Sequence, residues 1–418
     1  MQINRDDYLE KIIDKKHNGL IKIITGVGGC GKSYLLFKLF KQHLIGENIA
    51  ADHIIEIAFD DRRNKKLRDP DICLEYVDSK IIDNEMYYIL LDEVQFMSEF
   101  EDVLNSFLHM DNVDVYVTGS NSKFLSSDII TEFRGRGDEI RVYPLSFTEF
   151  YAAKKFDSWE DAWNQYYTYG GLPYILYLKK DEGKAVYLKR LFAETYLKDI
   201  IERNGIQNDI QLEELVNIIS SSIGSLTNAN KLANTFKSVG NTELSAPTIK
   251  QYLEYLEDAF IIEKAVRYDI KGKKYINTPY KYYFVDVGLR NARLNFRQQE
   301  ETHIMENIIF NELKIRGYAA DVGIIEISEK NEDGKYVRKQ IEVDFIANKG
   351  SKKYYVQSAF RLPTEEKIKQ EERPLVSIQD SFKKIIVVKD NVMLKRDENG
   401  IVTMGLREFL LDKNSLDL

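Results

Sequence analysis

Cysteine and proline are both scarce in this chain of 418 residues, which contains 2 cysteines and 7 prolines. The cysteines, Cys30 and Cys73, are too few for a disulfide framework, and with 5 scattered histidines they form no metal-ligand pattern. Few prolines, with 44% apolar and 30% charged residues, indicate a chain that is folded nearly throughout. This composition excludes a disulfide-rich secreted protein and favours the cytoplasm.

Long apolar runs are absent as well. No uncharged apolar stretch approaches the roughly 20 residues that span a bilayer, and the N-terminal sequence MQINRDDYLEKIIDKK lacks the apolar segment of a signal peptide. We therefore expect a cytoplasmic protein without a membrane partner. The formal net charge of -8 argues against a wholly cationic surface for nucleic acid, but it leaves room for a local basic face.

The length predicts several domains, because one hydrophobic core rarely grows so large. In residues 1–150, short apolar runs alternate with helical segments, which predicts an α/β domain around a parallel sheet. In residues 151–210 the apolar residues recur at helical spacing, which predicts a helical lid. Residues 211–298 read as three helices and two strands, typical of a winged helix, and residues 299–418 read as a second α/β domain.

A glycine-rich segment, GVGGCGKS, follows the first apolar run and opens a predicted helix. It fits the P-loop pattern, in which backbone N–H groups and the helix N-terminus converge on phosphate oxygens. In this pattern Lys32 reaches the β- and γ-phosphates of ATP and the Ser33 hydroxyl ligates Mg²⁺. The predicted nucleotide contacts are Gly26, Val27, Gly28, Gly29, Cys30, Gly31, Lys32, Ser33 and Tyr34.

The apolar run YYILL ends in two carboxylates, Asp92 and Glu93. Taken alone, an acidic pair at a strand end is as compatible with a helix N-cap as with catalysis. After a P-loop, the same pair predicts a magnesium site at Asp92, together with the P-loop Ser33. It also predicts a general base at Glu93 that polarises the attacking water.

Two further segments are candidates for contact with the γ-phosphate. Ser120 and Asn121 follow the apolar run VYVT, so either side chain is a candidate sensor, with a plain turn as the alternative. Arg136, and with less support Arg134, is a candidate arginine finger for a neighbouring subunit in a homo-oligomer, and a solvated loop charge is the alternative.

Six motifs between residues 21 and 294 resemble those of a group of prokaryotic AAA+-like P-loop ATPases. They are GVGGCGKS, YYILLDEVQ, VYVTGSNSKFLS, FRGRGDEIRVYPLSFTEF, YGGLPY and KYYFVDVGLRNARL. The resemblance implies an ATPase with the roles given above for Lys32, Ser33, Asp92 and Glu93, and it matches Arg136 to the Gly-Arg step of the family. It also implies a helical and winged-helix segment and a C-terminal domain without an assigned function.

The C-terminal domain resembles the PD-(D/E)XK fold of restriction endonucleases. Glu306 on a predicted helix and Asp344 on a predicted strand stand where that fold places carboxylates. On the following strand, however, Gln357 occupies the position of the second metal-ligating acid and Ala359 that of the lysine. An amide is a weak ligand for a hard cation and a methyl group cannot replace an ammonium. The sequence therefore predicts a degenerate domain that binds a partner rather than cleaving DNA.

The winged-helix segment gives a mixed signal for DNA. Its third helix, TIKQYLEYLED, carries one lysine and three acids, which oppose a polyanion. The predicted wing is more favourable, since basic residues cluster at its turn. They are Arg267, Lys271, Lys273 and Lys274. DNA contact and a protein-docking role both stay open for this segment.

Two functions are compatible with these features. The first is an ATPase that couples its nucleotide state to movement of the winged-helix and C-terminal modules, on DNA. The second is a signalling or defence scaffold in which slow hydrolysis times the recruitment of a protein partner by the C-terminal domain, without nucleic acid. A third, a metal-dependent nuclease, is disfavoured by Gln357 and Ala359.

Overall fold

The computed structural model describes residues 3–119, 135–239, 244–330 and 335–418. The chain divides into two compact units. The first comprises Met1–Leu145, Leu172–Leu176 and Asp258–Phe260, and the second comprises the remaining segments. None of the described helices combines the length and apolarity that crossing a bilayer requires.

A five-stranded sheet forms the centre of the first unit. Its strands are β1 (Ile21–Thr25), β2 (Ile54–Ala58), β3 (Tyr87–Asp92), β4 (Val113–Thr118) and β5 (Gly137–Arg141). Their order across the sheet is β2-β3-β4-β1-β5, and every neighbouring pair is parallel. The predicted α/β class with a parallel sheet is confirmed. Strand β5 was not predicted, because its sequence GDEIR is too charged to read as an apolar run.

Helices connect these strands. They are Asp6–Asp14, Lys32–Tyr34, Lys41–Gly46, Pro70–Asp78 and Phe100–Phe107, and a π-helical segment, Leu35–Phe40, joins the second to the third. Short 3₁₀ turns occupy Ala51–His53, Arg62–Arg68 and Val94–Phe96. Helix Pro70–Asp78 begins where the Asp69 side chain accepts the N–H of Ile72 at 3.2 Å, an ordinary N-cap.

One face of this sheet packs against two of the helices. Side chains such as Ile23, Ile89 and Val117 form a continuous buried core with Val77 and Phe100. Burying an apolar side chain of this size stabilises a fold by about 1.5–3 kcal/mol, so this core holds the strand ends, where the glycine-rich segment lies, in fixed register.

The second unit begins with a run of helices. They are Phe147–Ala153, Trp159–Tyr169, Asp181–Arg190, Lys198–Asn204, Asp209–Ser221, Ala229–Val239, Ala246–Asp258 and Val287–Arg293, with a π-helical segment at Leu191–Leu197. A 3₁₀ turn at Pro173–Tyr177 lies mostly in the Leu172–Leu176 segment of the first unit. Three more helices follow, Glu301–Ile315, Glu365–Val376 and Leu406–Leu411, and a final 3₁₀ turn lies at Ser415–Asp417.

A mixed sheet of eight described strands completes the second unit. The strands are β6 (Ile262–Asp269), β7 (Lys274–Phe284), β8 (Ala319–Lys330), β9 (Tyr336–Lys349), β10 (Lys352–Ala359), β11 (Lys383–Val388), β12 (Lys395–Arg396) and β13 (Ile401–Gly405). Their order is β12-β13-β11-β10-β9-β8-β6-β7. Strands β12 and β13 were not predicted.

The hairpin expected to be the wing of a separate winged helix belongs to this sheet. Strands β6 and β7 pair antiparallel, and β6 also pairs in parallel with β8, where Arg267–Asp269 lies beside Val322–Ile324. The sheet therefore crosses the boundary predicted after residue 298, because β6 has a partner on each side and is not a free-standing edge.

Candidate nucleotide site and carboxylate cluster

The glycine-rich segment connects β1 to helix Lys32–Tyr34. Gly26 has a φ of 142°, and a Cβ at this position would lie 2.1 Å from the carbonyl oxygen of Val142, so a larger residue does not fit. Gly31 has a φ of 101° and immediately precedes the helix. The backbone thus turns sharply at both ends of the segment and directs the start of the helix into the loop.

Lys32 is buried, and its ammonium donates to the carbonyl oxygens of Gly26 at 2.9 Å and Val27 at 3.4 Å. The side chain therefore folds back over the loop that precedes it. This places its charge inside the curve formed by the glycines, where a phosphate group would be held.

Arg5, which the sequence patterns did not single out, hydrogen-bonds to the glycine-rich loop. The guanidinium of Arg5 donates to the carbonyl oxygens of Cys30 at 2.9 Å and Tyr143 at 2.8 Å. The thiol of Cys30 is also buried and lies 3.4 Å from the carbonyl oxygen of Val142. Arg5 thus ties the loop to the segment that follows β5.

The acidic pair lies at the end of β3, two strands away from β1 in the sheet. Asp92 is buried, the hydroxyl of Thr118 donates to its carboxylate, and the hydroxyl of Ser33 lies near enough to affect its pKa. Burial raises the pKa of Asp92, the carboxylates of Glu93 and Asp60 add to the rise, and the two hydroxyl groups oppose it. The structure therefore brings Ser33 and Asp92, predicted from separate motifs, close to each other.

This arrangement fits a divalent cation. A desolvated carboxylate beside other carboxylates is stabilised by a positive charge, and a hydroxyl with a carboxylate is an oxygen donor set that suits Mg²⁺. Ser33 and Asp92 are the residues that would hold the ion.

Thr118 is a residue that the sequence reasoning missed. It ends β4, the strand between β1 and β3, and its hydroxyl both donates to Asp92 and accepts the N–H of Glu93 at 3.0 Å. The signal was present in the sequence, because a threonine closes an apolar strand that was predicted to lie next to the acidic strand.

Glu93 has a left-handed backbone with a φ of 51°, which is uncommon for a residue with a side chain. Its carboxylate accepts a hydrogen bond from the side-chain amide of Gln95. Its backbone is fixed by Thr118, so the position of the carboxylate is set by two neighbours that the sequence did not identify.

Arg136 lies at the opposite end of β1 from the glycine-rich segment. Its carbonyl oxygen accepts the N–H of Ile21 at 2.9 Å, and its exposed guanidinium donates to Asn105 at 3.3 Å. Five strand residues separate these ends, roughly 16 Å at 3.3 Å per residue, so Arg136 is not beside the loop of its own chain. Ser120, Asn121 and Arg134 lie outside the described residues, and their roles stay predictions.

The first three residues of the motif YGGLPY meet the motif VDVGLRNARL in the second unit. The Asp286 carboxylate accepts the N–H groups of Gly171 at 2.7 Å and Leu289 at 3.0 Å. A Cβ at Gly288 would lie 2.0 Å from the carbonyl oxygen of Tyr169. The side-chain amide of Asn291 donates to two further carbonyl oxygens of the same helix end, Tyr167 and Thr168. These motif residues therefore join two segments of the fold.

The carboxylates expected from the nuclease-like pattern converge in the second unit, around a lysine that was not expected. Lys281 of β7 contacts Glu306 at 2.9 Å, Glu342 at 2.6 Å and Asp344 at 3.8 Å. Gln357 lies next to them, with its side-chain oxygen accepting the N–H of Asp344 at 3.3 Å. Across the described ranges, no group of three or more His, Cys, Asp and Glu side chains is arranged to hold a metal ion.

The basic residues expected in a wing are in different environments. Arg267 is buried in the sheet, where its guanidinium donates to Gln340 at 2.7 Å and to the carbonyl oxygen of Thr278 at 3.5 Å. Lys271, Lys273 and Lys274 are exposed, and the ammonium of Lys271 donates to a carbonyl oxygen of β8. Three of the four positive charges are thus accessible to solvent.

Comparison with known proteins gives family matches for two parts of the chain. Residues 18–151 match the family model of an AAA domain, and residues 160–300 match a domain of unknown function, DUF8612. Among solved structures, the Walker-type ATPase PABY2304 of Pyrococcus abyssi is similar with a TM-score of 0.49 and 14% identity, covering 70% of this chain and 96% of that chain. The Aeropyrum pernix ORC1 protein in complex with DNA gives a TM-score of 0.29 and 11% identity, covering 70% and 92%.

Two relatives match over almost the whole chain. An uncharacterized protein of Haemophilus influenzae is 34% identical over 390 residues, which cover 92% of this chain and 93% of that protein. The uncharacterized protein MJ1544 of Methanocaldococcus jannaschii is 31% identical over 408 residues, which cover 94% and 84%. The chain carries an AAA domain and belongs to the same protein family as these bacterial and archaeal relatives.

Proposed function

We propose that the first unit binds magnesium and ATP and hydrolyses the nucleotide. One observation carries this proposal: the Ser33 hydroxyl of the glycine-rich loop lies close enough to the buried Asp92 carboxylate to hold down its pKa. They come from the ends of two different strands, and their meeting at this edge of the sheet is the arrangement that magnesium and phosphate need. The match of residues 18–151 to an AAA domain supports the same function.

Each residue of the loop then has a chemical task. Lys32 exchanges its contacts with the loop carbonyls for the β- and γ-phosphates, and the backbone N–H groups from Gly26 to Tyr34 hold the remaining phosphate oxygens. Ser33 and Asp92 position the cation. When bound, magnesium neutralises charge that develops on the transferred phosphoryl group.

Glu93 is the proposed general base. It directly follows the cation-binding Asp92, and its backbone N–H is held by Thr118. A carboxylate in this place accepts a proton from water as the water attacks the γ-phosphate. Asn121 is proposed to orient that water, and this part of the proposal rests on sequence alone.

Arg136 requires a second copy of the chain. Because it lies at the far end of β1, we propose that it acts on the nucleotide of a neighbouring subunit in a homo-oligomer. A mixture of Lys32→Ala and Arg136→Ala subunits should then regain ATPase activity. No recovery in such mixtures, with both variants assembled, removes this role.

The nucleotide state is proposed to reach the second unit through the segment Leu172–Leu176. This segment belongs to the first unit, and a Cβ at Gly31 of the loop would lie 3.8 Å from the Pro173 ring. It continues without interruption from Gly171, whose N–H is bound by Asp286. A shift of the loop on nucleotide binding therefore acts on a short piece of chain that is anchored at its other end.

The direct test is an ATPase and nucleotide-binding assay on three proteins. Lys32→Ala should lose both binding and hydrolysis, since its charge is removed from the loop. Glu93→Gln should keep ATP binding and lose hydrolysis by about 100-fold or more. Glu99→Gln, an exposed acid after the same strand, is the control and should behave as wild type. Equal hydrolysis in all three proteins would contradict the proposal. Repeating the assay with GTP shows whether the site prefers adenine or guanine nucleotides.

A second candidate function, a protein-recruiting scaffold without nucleic acid, is favoured by the burial of Arg267 and by the acids of helix Ala246–Asp258. DNA binding by the exposed lysines is the competing proposal. It predicts salt-dependent binding that is lost when Lys271, Lys273 and Lys274 are all replaced by alanine, and ATPase stimulation by DNA. If DNA neither binds nor stimulates the ATPase at low salt, the scaffold function is favoured.

For the C-terminal part we propose a nuclease-like fold that has lost cleavage. Gln357 and Ala359 both lie in β10, and an amide and a methyl group supply neither a strong ligand nor a positive charge. Manganese-dependent DNA cleavage that disappears in Asp344→Asn would overturn this proposal.

A further inference from the structure

Lys281 is the centre of a compact group of charged side chains in the second unit. It projects from β7 with only 5% of its side chain exposed. Three carboxylates surround it: Glu306 from helix Glu301–Ile315, and Glu342 and Asp344 from β9. We name this group the Lys281 cluster. Three structural elements, distant in sequence, thus direct charges to one point.

The contacts of Lys281 are hydrogen bonds of good length with two of its partners. Its ammonium donates to Glu342 at 2.6 Å and to Glu306 at 2.9 Å, and Asp344 lies farther away at 3.8 Å. Distances of 2.6–2.9 Å are those of charge-assisted hydrogen bonds. The ammonium therefore binds oxygens of these carboxylates through its N–H groups, in the way that a metal ion would bind them as ligands.

Neighbouring groups hold the carboxylates in place. The Tyr283 hydroxyl donates to Glu306 at 2.6 Å, and the N–H of Ser358 donates to Asp344 at 2.8 Å. Gln357 accepts the N–H of Asp344 and donates to Glu371 at 3.2 Å. The carboxylates are thus oriented towards Lys281 by an outer layer of donors, as ligands are oriented around a metal.

Three carboxyl groups face one ammonium in the cluster. Burial works to lower the pKa of Lys281, but Glu306, Asp344 and Glu342 overcome it, and the pKa is raised. Burial and the Glu306 carboxylate raise the pKa of Asp344 to about 8, although Lys281 opposes this. The lysine therefore keeps its charge.

We infer that the ammonium of Lys281 takes the place of a divalent cation among Glu306, Glu342 and Asp344. The second unit carries a latent cation site that its own lysine fills. A divalent ion and the ammonium cannot occupy the same position, because their charges repel and the carboxylate oxygens are already engaged. With the lysine in place, the folded unit should need no metal at this position.

The inference does not depend on the proposed ATPase, since the cluster lies wholly within the second unit. Removing the charge of Lys281 should open the site. Lys281→Met keeps the length of the side chain but leaves the carboxylates without their central cation. A divalent ion with oxygen preference, Mn²⁺ as the probe, should then bind where the ammonium was.

The test measures Mn²⁺ binding by electron paramagnetic resonance, without nucleotide. Lys281→Met should bind one Mn²⁺ per chain more than wild type, and the added Asp344→Asn substitution should abolish the gain. Lys281→Arg keeps the charge and should behave as wild type. Lys264→Met removes an exposed lysine of β6 that pairs with Glu257 at 3.4 Å, and it serves as the matched control without a gain.

A second measurement covers the case in which Lys281→Met folds poorly. Both tryptophans, Trp159 and Trp163, lie in the second unit, so their fluorescence follows its unfolding alone. Lys281→Met should unfold at a higher temperature in Mn²⁺ than in chelator, while wild type should show no difference. No gain of Mn²⁺, a variant equally unfolded with and without Mn²⁺, or a wild-type site that is lost in Asp344→Asn each overturns the inference.

Discussion

The hydroxyl group of Thr118 donates a hydrogen bond to the carboxylate of Asp92. The same oxygen accepts the N–H of Glu93 at 3.0 Å, so one side chain of β4 fixes both members of the acidic pair. Neither contact involves the nucleotide loop itself. The relationship makes Thr118 a positioning residue for the proposed cation ligand and the proposed base.

Thr118→Val should therefore reduce hydrolysis without unfolding the protein. The substitution keeps the shape of the side chain but removes the hydroxyl, and a buried hydrogen bond to a charged group contributes about 1.5–3 kcal/mol. We expect kcat to fall by roughly ten-fold to a hundred-fold, with a smaller change in ATP affinity. Thr118→Ser restores the hydroxyl and should recover most of the activity. Equal losses in both variants would show that packing, and not the hydrogen bond, is responsible.

Gly288→Ala should destabilise the second unit. Its new methyl group would lie 2.0 Å from the carbonyl oxygen of Tyr169, so the two segments have to separate. Overpacking of this kind costs about 1–3 kcal/mol. Urea unfolding followed by tryptophan fluorescence measures the change, since Trp159 and Trp163 belong to this unit.

Gly183→Ala is the control for that experiment. Gly183 lies inside helix Asp181–Arg190, and a Cβ there meets no atom within 4 Å. Alanine is favoured over glycine in a helix by about 1 kcal/mol, so this variant should be slightly more stable than wild type. If both variants unfold alike, the close approach of Gly288 to Tyr169 does not matter for stability.

The elements that the sequence predicted best are those with strong local patterns. The four apolar strands of the first unit coincide with short apolar runs of the sequence, because fully buried parallel strands are uninterrupted apolar runs. Strand β5 was missed since it is charged and lies at the sheet edge. Its pairing with β1 depends on a neighbour far along the chain, which no local pattern records.

The candidate sites show the same division. Ser33 and Asp92 were singled out because each belongs to a motif with its own spacing, and the parallel sheet explains why they lie close to each other. Lys281 had no such signal. It is the one charged residue in the run YKYYFV, and it contacts the carboxylates only when β7 joins the sheet that carries Asp344. Sites that form only when distant strands pair, such as the Lys281 cluster, could therefore not be predicted from the sequence.

The stability of the second unit should fall as the pH rises through neutrality. The pKa of Asp344 is about 8 in the folded unit and about 4 in an unfolded chain. Between these values the folded state holds a proton that the unfolded state has released, so unfolding becomes more favourable with rising pH until about pH 8. Urea unfolding from pH 5 to 9 should show this slope, and Asp344→Asn should reduce it. The same slope in both proteins would contradict the prediction.

Lys22→Met should destabilise the first unit selectively. The ammonium of Lys22 is buried, pairs with Asp114 and donates to the carbonyl oxygen of Leu20 at 2.8 Å. Its removal leaves the Asp114 carboxylate buried with only the Tyr116 hydroxyl and the N–H of His17 as donors. Breaking a buried pair in this way costs about 3–5 kcal/mol.

Calorimetry measures the effect of Lys22→Met, and tryptophan fluorescence should not detect it, because both tryptophans lie in the other unit. Lys41→Met, which breaks a partly exposed pair with Glu56, is the control and should cost about 1 kcal/mol or less. A transition shifted equally in calorimetry and in fluorescence would mean that the two units do not unfold independently.

The parallel pairing of β6 with β8 also delays one step of folding during synthesis on the ribosome. The segment Arg267–Asp269 leaves the ribosome well before its partner Val322–Ile324, and at synthesis rates of about 5–20 residues per second the gap lasts several seconds. During that time we expect β6 and β7 to form a hairpin in which β6 has no partner strand on its other side. A hairpin in this condition is a target for chaperones and a risk for association between nascent chains. The sheet that gathers the Lys281 cluster is therefore completed only late in translation.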